Sequence, residues 1–358
     1  SDLSRIFTEL AKTANEKLIV ENIIDNDVKR ISWTRSLRAD IGKNLIHQFD
    51  SSEIKISNYR PFCKQFLYFN KSFNEAIGLS PKFFPSSSLS NIVICISPSP
   101  NDGLSLLISD EITNLHFNGD TQTFPLYYYE ENKDVQKGLF ETDDTSTGSV
   151  SGKYVRRDGV SDYILDKATK QYKATNINKE DIFYYVYGFL HSPEYRETFA
   201  NDLKKMLPRL PLVEDVKDFW AFSKTGRQLA ELHLNYESVP PYEGVKVEGE
   251  DSKFFKVEKM RFPKKDQKDT IHFNSQITIS NIPKEAYEYV VNGKSAIEWI
   301  MERYQITTHK ESQITNDPND WAEEVGNPRY ILDLLLSIIN VSMQTRDLIG
   351  KLPKMKFE

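Results

Sequence analysis

Only two cysteines, Cys63 and Cys95, occur in 358 residues, too few for a disulfide framework or a cysteine-based zinc cluster. A reducing, cytoplasmic setting fits that scarcity. No apolar run reaches the roughly 20 residues that cross a bilayer, and no basic flank leads into a hydrophobic signal segment. The six histidines, at positions 47, 116, 191, 233, 272 and 309, show no ligand spacing, and HExxH is missing. A GxSxG elbow and a Gly-rich dinucleotide fingerprint are missing too. The sequence therefore offers no obvious covalent chemistry.

Two partial motifs are weighed against blander readings. Lys294 and Ser295 follow Gly293 as in a phosphate-binding loop, but Glu288 stands where its first glycine belongs. Gly293 closing one helix and Ser295 opening the next is the better reading. Glu53-Ile54-Lys55, with Asp40 or Asp50 upstream, has the acidic and lysine pattern of metal-dependent nucleases. It is retained as a rival function.

What is present is core-forming material: 39% hydrophobic residues, 18 Tyr and 21 Phe against 27% charged. The length exceeds the roughly 250 residues that one core sustains, which predicts two lobes. The chain opens on Ser1 directly into a helical pattern of Leu3, Ile6, Phe7 and Leu10, as expected of a piece of something longer. Residues 28–46 read as a second amphipathic helix with a basic flank.

From Tyr59 to Tyr129 the texture is β-rich, with strands expected at Phe66–Phe69, Ile92–Ile96, Leu106–Ile108 and Phe124–Tyr129. Residues 130–152 read as a loop or lobe boundary. Helices are expected over Asp181–Leu190, Pro193–Leu207 and Val216–Tyr236, then strands over Val245–Val247, Phe254–Phe262 and Ile271–Ile279. Helical texture returns at Glu285–Val291, Ser295–Tyr304 and Pro328–Ile349. The expected fold class is α+β: a β-rich N-terminal lobe and a small antiparallel β-unit packed with a helical hub and C-terminal helices. Its expected parts are a helical connector (1–50), a β-rich lobe (51–180) and a helical region (181–358) with the β-unit inserted at about 245–280.

The net charge of −6 hides three basic islands. Lys29 to Lys71 holds nine basic residues against three acidic, Lys153 to Lys173 six against three, and Lys253 to Lys268 seven against two. Basic residues beside aromatic and amide side chains suit a nucleic-acid reader, because Lys and Arg replace counterions at phosphates while Arg, Asn and Gln address base edges. A solvated surface is the commoner origin of any single island. Convergence of the islands on one side of the fold is the discriminating feature.

The run Tyr185-Val186-Tyr187-Gly188-Phe189-Leu190-His191-Ser192-Pro193-Glu194-Tyr195-Arg196, followed by Leu207-Pro208-Arg209-Leu210-Pro211-Leu212, resembles a hallmark of the C-terminal specificity region of Type ISP restriction-modification enzymes. Similar to that family are also Tyr59-Arg60-Pro61-Phe62 with Lys64 and Tyr68, Phe124-Pro125-Leu126-Tyr127, Gly226 with Leu229-Ala230-Glu231-Leu232-His233, and Asn292-Gly293 with Glu298-Trp299. The resemblance runs over nearly the whole chain and implies a target recognition domain for double-stranded DNA. In that family one polypeptide joins it to a nuclease, a helicase-like ATPase and an adenine-N6 methyltransferase.

The resemblance implies no activity for this segment, because the methyltransferase and ATPase motifs are absent from it. No cofactor is expected here, S-adenosylmethionine, ATP and Mg²⁺ belonging to the parent. Expected partners are duplex DNA and the upstream methyltransferase and helicase domains, with no membrane and a monomeric state. Phosphate candidates are Arg60, Lys64, Lys71 and Arg209. Base-reading candidates are Lys153, Arg156, Arg157, Lys256, Lys259, Arg261, Lys264, Asn274 and Gln276, with Lys265 in the same run. The rivals are a metal-dependent nuclease built on Glu53 and Lys55, and a non-catalytic docking scaffold.

Overall fold

The computed structural model describes residues 27, 29, 33–75, 77–99, 101–132, 150, 151 and 153–357. The helix expected from Leu3 to Leu10 and most of the loop expected over 130–152 lie outside these residues. Of the stretch 28–46, the described helix is α1 (Arg35–Gly42), capped by the Thr34 side chain, which accepts from the Leu37 amide.

The fold is α+β, built around a sheet buried on both faces. β3 (Val93–Ser99) pairs antiparallel with β4 (Gly103–Ser109) and β6 (Gln122–Pro125). Alternate side chains point to opposite faces of a strand, and here both faces are apolar. Val93, Cys95 and Leu107 enter one core, with Phe62, Ile279, Ile300 and Ile338. Ile94, Ile96, Leu104, Leu106 and Ile108 enter a second, with Phe183, Phe189, Phe219 and Phe222. Both cores therefore combine residues from before and after position 180, where the sequence texture changes from strands to helices.

Two further sheets flank this layer. β1 (Ile54–Arg60) pairs with β2 (Cys63–Tyr68) antiparallel and with the short β5 (Ile112–Thr113) in parallel. β7 (Tyr127–Glu131) pairs with β9 (Tyr154–Asp158), whose other edge takes β8 (Val150–Ser151). The expected strand Phe124–Tyr129 is thus two strands in different sheets, split at the buried Leu126. Between the β1–β2 hairpin and β3 lies a short helix, α2 (Ser80–Phe83).

The helical hub follows α3 (Asp162–Tyr172), a helix the sequence reading did not anticipate. α4 (Lys179–Phe189) starts on an Asn178–Asp181 capping box, which satisfies two orphan donors reciprocally. α5 (Pro193–Thr198) has Ser192 as its cap and proline in its first turn, and α6 (Ala200–Leu203) completes the expected Pro193–Leu207 helix as two pieces. α7 (Val216–Leu234) is capped by Asp215.

Helices α4 and α7 approach closely because glycine faces glycine. A Cβ on Gly226 would stand 2.0 Å from the Tyr184 carbonyl oxygen, and one on Gly188 2.2 Å from that of Phe222. Aromatic rings fill the adjoining space, with Tyr185 stacked on Phe219 at 5.0 Å and Phe189 against Phe222 at 5.2 Å. Tyrosine hydroxyls then hold the following segment: Tyr185 donates to the Pro211 carbonyl at 2.7 Å and Tyr195 to that of Arg209 at 3.0 Å. The two parts of the hallmark run thus form one latch.

The inserted β-unit is β10 (Lys246–Glu248), β11 (Ile271–His272) and β12 (Thr278–Ser280), in the order β10-β12-β11. Phe254–Phe262 is not the expected strand; its described pairing is a single bridge between Arg261 and His272. Asparagines hold it instead. Asn274 donates to the carbonyls of Phe254 and Lys256, while Asn319 accepts from the Val257 amide and donates to the Val257 carbonyl.

Glu285–Val291 is likewise no helix but a 3₁₀ turn, Lys284–Tyr287, followed by the hairpin β13 (Val290–Val291) and β14 (Lys294–Ser295). Asn292 and Gly293, at φ 46° and 77°, form its two-residue turn, so Gly293 does not close a helix. Ser295 does open α8 (Ala296–Arg303), through a capping box with Glu298. A hairpin of β15 (Thr307–Thr308) and β16 (Thr315–Asn316), helix α9 (Asn319–Glu324) and the long α10 (Tyr330–Ile349) complete the chain. No described helix is long and apolar enough to cross a membrane.

Candidate nucleic-acid interface

A groove of about 1200 Å³ opens beside the β1–β2 hairpin and the β7–β9 pair. Lys55, Lys71 and Lys82 line it from the first half, Lys153 and Arg157 from β9 and the residue before it, with Phe69, Tyr129 and Tyr154 between them. Residues more than 80 positions apart in sequence thus share one wall, because β9 pairs with β7 in register Tyr129–Arg156 and Glu130–Val155. Alternation then places Arg157 and Val155 on the groove side, while the Arg156 guanidinium lies over the Tyr127 ring at 4.2 Å.

Acidic groups share the groove. Asp50, Glu53, Glu130 and Glu131 line it too. Arg157 pairs with Glu130 at 3.2 Å and Lys153 with Glu131 at 3.8 Å, all four about half exposed or more. Such exposed pairs contribute about 0–1 kcal/mol, so their cations exchange readily onto a stronger anion such as a phosphodiester.

The expected phosphate candidates divide. Lys71 is exposed on the groove. Arg209 is exposed elsewhere, on the segment latched by Tyr195. Arg60 turns back onto its own strand, donating to the Tyr59 carbonyl at 2.7 Å and to Asn114 at 2.9 Å. Lys64 lies 2.5 Å from Glu237 and also offsets the nearby Asp110 and Glu111.

Of the base-reading candidates, Lys153 and Arg157 share the groove with Lys71; Arg156 lies beside it. Lys256, Lys259, Arg261 and Lys264 are exposed on the third island, along with Lys265 and Gln276, and none of them lines the groove. Lys256 pairs with Glu323 at 3.1 Å. Asn274 spends its amide on backbone: besides the two carbonyls it holds, its oxygen accepts from the Gln276 and Ile277 amides. Lys55 was read only as part of the nuclease pattern, although it belongs to the first basic island, and Lys82 was missed because no other basic residue stands near it in sequence.

The nuclease pattern also falls in the groove, but its groups serve the chain. Asp50 accepts from the Ser52 amide, Glu53 from the Asn70 amide nitrogen at 2.6 Å, and Lys55 donates to the Phe84 carbonyl at 3.2 Å. Among the described residues no group of three or more His, Cys, Asp or Glu is placed to hold a metal ion.

Two titrating groups, the half-buried Glu111 and the buried His191, pull stability in opposite directions. Burial pushes the Glu111 carboxyl up to about 7, with the Asp110 charge adding to the shift. Burial pushes His191 down to about 4. His191 ionises near 6.5 when unfolded, so it costs stability as pH falls from 6.5 to about 4. Glu111 costs stability as pH rises from 4.5 through 7. Glu111→Gln is therefore expected to stabilise the chain above pH 7 by roughly 1–2 kcal/mol after solvent screening. The variant should also steepen the loss between pH 6.5 and 4, which thermal melts across that range will read.

The sequence matches the Type ISP C-terminal specificity domain over residues 1–334. The chain belongs to that family. Solved structures agree over the whole chain. One is described as an ATP-dependent Type ISP restriction-modification enzyme, LlaBIII, bound to DNA; it is 35% identical with a TM-score of 0.82, and the match covers 100% of this chain and 21% of that one. A nuclease-deletion mutant of the Type ISP enzyme LlaGI, in complex with a DNA substrate mimic, is 37% identical with a TM-score of 0.78, covering 99% and 26%. A DrdV–DNA complex is 27% identical with a TM-score of 0.79, covering 99% and 33%. This Type ISP specificity domain spans about a fifth to a third of the length of those chains. No curated protein matches the sequence.

Proposed function

We propose that this Type ISP specificity domain binds duplex DNA through the groove between β1–β2 and β7–β9, and reads a short target sequence there. The observation that carries the reading is the gathering of Lys71, Lys153 and Arg157 from two separate basic islands onto one groove with aromatic walls. The relatives described as bound to DNA support it. Lys71 takes a phosphate, and Arg157 and Lys153 leave Glu130 and Glu131 for phosphates or base edges. The exposed third island, with Lys259, Arg261, Lys264 and Gln276, supplies a second set of contacts. Arg209 is a further phosphate contact.

In this reading the domain supplies the address, and the parent polypeptide's methyltransferase, ATPase and nuclease supply S-adenosylmethionine-, ATP- and Mg²⁺-dependent chemistry. An adenine presented to a methyltransferase must leave the base stack to be reached. A docking role beside DNA binding is supported by exposed apolar side chains near the β1–β2 hairpin: Phe49 is 73% exposed, and the cross-strand pair Ile56–Phe66 37% and 53%. The test of DNA engagement is fluorescence anisotropy of a labelled duplex across a salt series. Affinity should fall linearly on logarithmic axes as counterions compete for the phosphates, and binding unchanged by salt would contradict the proposal.

A further inference from the structure

The hallmark run Tyr185–Arg196 ends on a guanidinium that neither the helix contact nor the tyrosine latch uses. Arg196 on α5 borders a cavity of about 370 Å³ lined also by Leu106 of β4, Val290 of β13 and the last turns of α10. Its Nη2 donates to the Leu104 carbonyl at 2.5 Å. Among the described residues no carboxylate forms an ion pair with it. Of the two acids on the cavity wall, Glu288 is held by Arg346 at 2.9 Å and Glu197 is exposed. Burial holds the guanidinium below its ordinary pKa, opposed by the Tyr289 phenol. Arginine keeps its proton regardless, so a largely desolvated charge is left without a counter-ion, a costly state that a bound anion would relieve.

Two neighbours define which anion. His191, also on the cavity wall, has Nδ1 2.8 Å from the Tyr187 carbonyl, an acceptor, so Nδ1 carries the proton. The buried ring is neutral near pH 7, which leaves Nε2 as a lone-pair acceptor. Tyr289, 6% exposed and stacked on His233 at 5.0 Å, has a buried hydroxyl with no hydrogen-bond partner. A cation, an acceptor and an unpaired phenol thus line one cavity. A carboxylate, a sulfate or a DNA phosphodiester has no proton to give His191 at neutral pH, whereas inorganic phosphate does, and a phosphate monoester, with its second pKa at about 6, does as its monoanion.

We propose that this cavity binds a phosphate group still carrying a proton, as inorganic phosphate or a phosphate monoester, with Arg196 as its cation and His191 and Tyr289 as acceptor and donor. The site is separate from the DNA groove and does not depend on the DNA reading.

Calorimetric titration of the 358-residue chain at pH 7 tests it, with inorganic phosphate, adenosine 5′-monophosphate and sulfate as ligands. One-to-one binding of phosphate or the monoester is expected with a dissociation constant on the order of 0.1–1 mM, and sulfate at least about tenfold weaker. Binding of both, or of either alone, supports the site and identifies whether free ion or monoester fills it. Arg196→Gln should weaken binding at least about tenfold and Arg261→Gln, exposed away from the cavity, less than about threefold. Should Arg196→Gln fail to fold, a higher melting temperature of the unaltered chain in phosphate than in sulfate of equal ionic strength carries the test. No binding of either phosphate ligand, sulfate equal to phosphate, or equal losses in the two arginine variants would overturn the assignment.

Discussion

Gly226→Ala is expected to destabilise the domain by about 3 kcal/mol or more, measured by denaturant unfolding. Alanine in a helix interior favours the helix by roughly 1 kcal/mol over glycine, so propensity alone predicts a gain. The sign is reversed by what the methyl would meet: the Tyr184 carbonyl oxygen at 2.0 Å and the Gly188 amide nitrogen at 2.7 Å. Both are backbone atoms of a helix that can yield only by moving as a whole, which would open the Tyr185, Phe189, Phe219 and Phe222 cluster. Gly350→Ala serves as the control. Its nearest contacts would be 3.5 and 3.6 Å, and a change within about 0.5 kcal/mol is expected. Equal effects at the two sites would refute the close-contact account.

The second large effect is on DNA binding. Reversing Lys71, Lys153 and Arg157 together to glutamate is expected to weaken duplex affinity by about 100-fold or more, roughly 1 kcal/mol for each lost contact. The dependence on salt should flatten by about three phosphate equivalents. Because these side chains are exposed or in weak exposed pairs, folding should be unaffected, and circular dichroism checks that. Reversal of Arg261 and Lys264 should have a smaller effect, since the third island lies outside the groove. Undiminished affinity in the triple variant would favour the docking-scaffold reading.

How much of this was legible in the sequence depends on what held each segment. The strand from Ile92 and the helix from Asp181 were readable because their apolar positions and caps point to one structure. Phe254–Phe262 has strand composition but no ladder, because Asn274 and Asn319, distant in sequence, satisfy its backbone. Composition cannot reveal that. The Asn292-Gly293 hairpin was legible and missed: the pair is a strong turn signal, obscured by the helical texture on either side.

The groove was half legible. Its basic islands could be counted, but their meeting depends on the β7–β9 register across a long connection. His233, without ligand spacing in the sequence, is a core histidine held between the Tyr187 hydroxyl at 2.7 Å and Thr345 at 2.8 Å. The Arg196 cavity had no sequence signal beyond membership of the hallmark run. Its character comes from a missing carboxylate, which only the packing of α5 against β4 and α10 exposes.

The most direct measurement of the central claim is lysine acetylation footprinting of the chain with and without duplex DNA at low salt, read by mass spectrometry. Lys71, Lys82 and Lys153 are predicted to lose reactivity when DNA is bound, while Lys351 and Lys354 at the far C-terminus keep theirs. Groove lysines that stay as reactive with DNA as without it, under conditions where the duplex is demonstrably bound, would contradict the account.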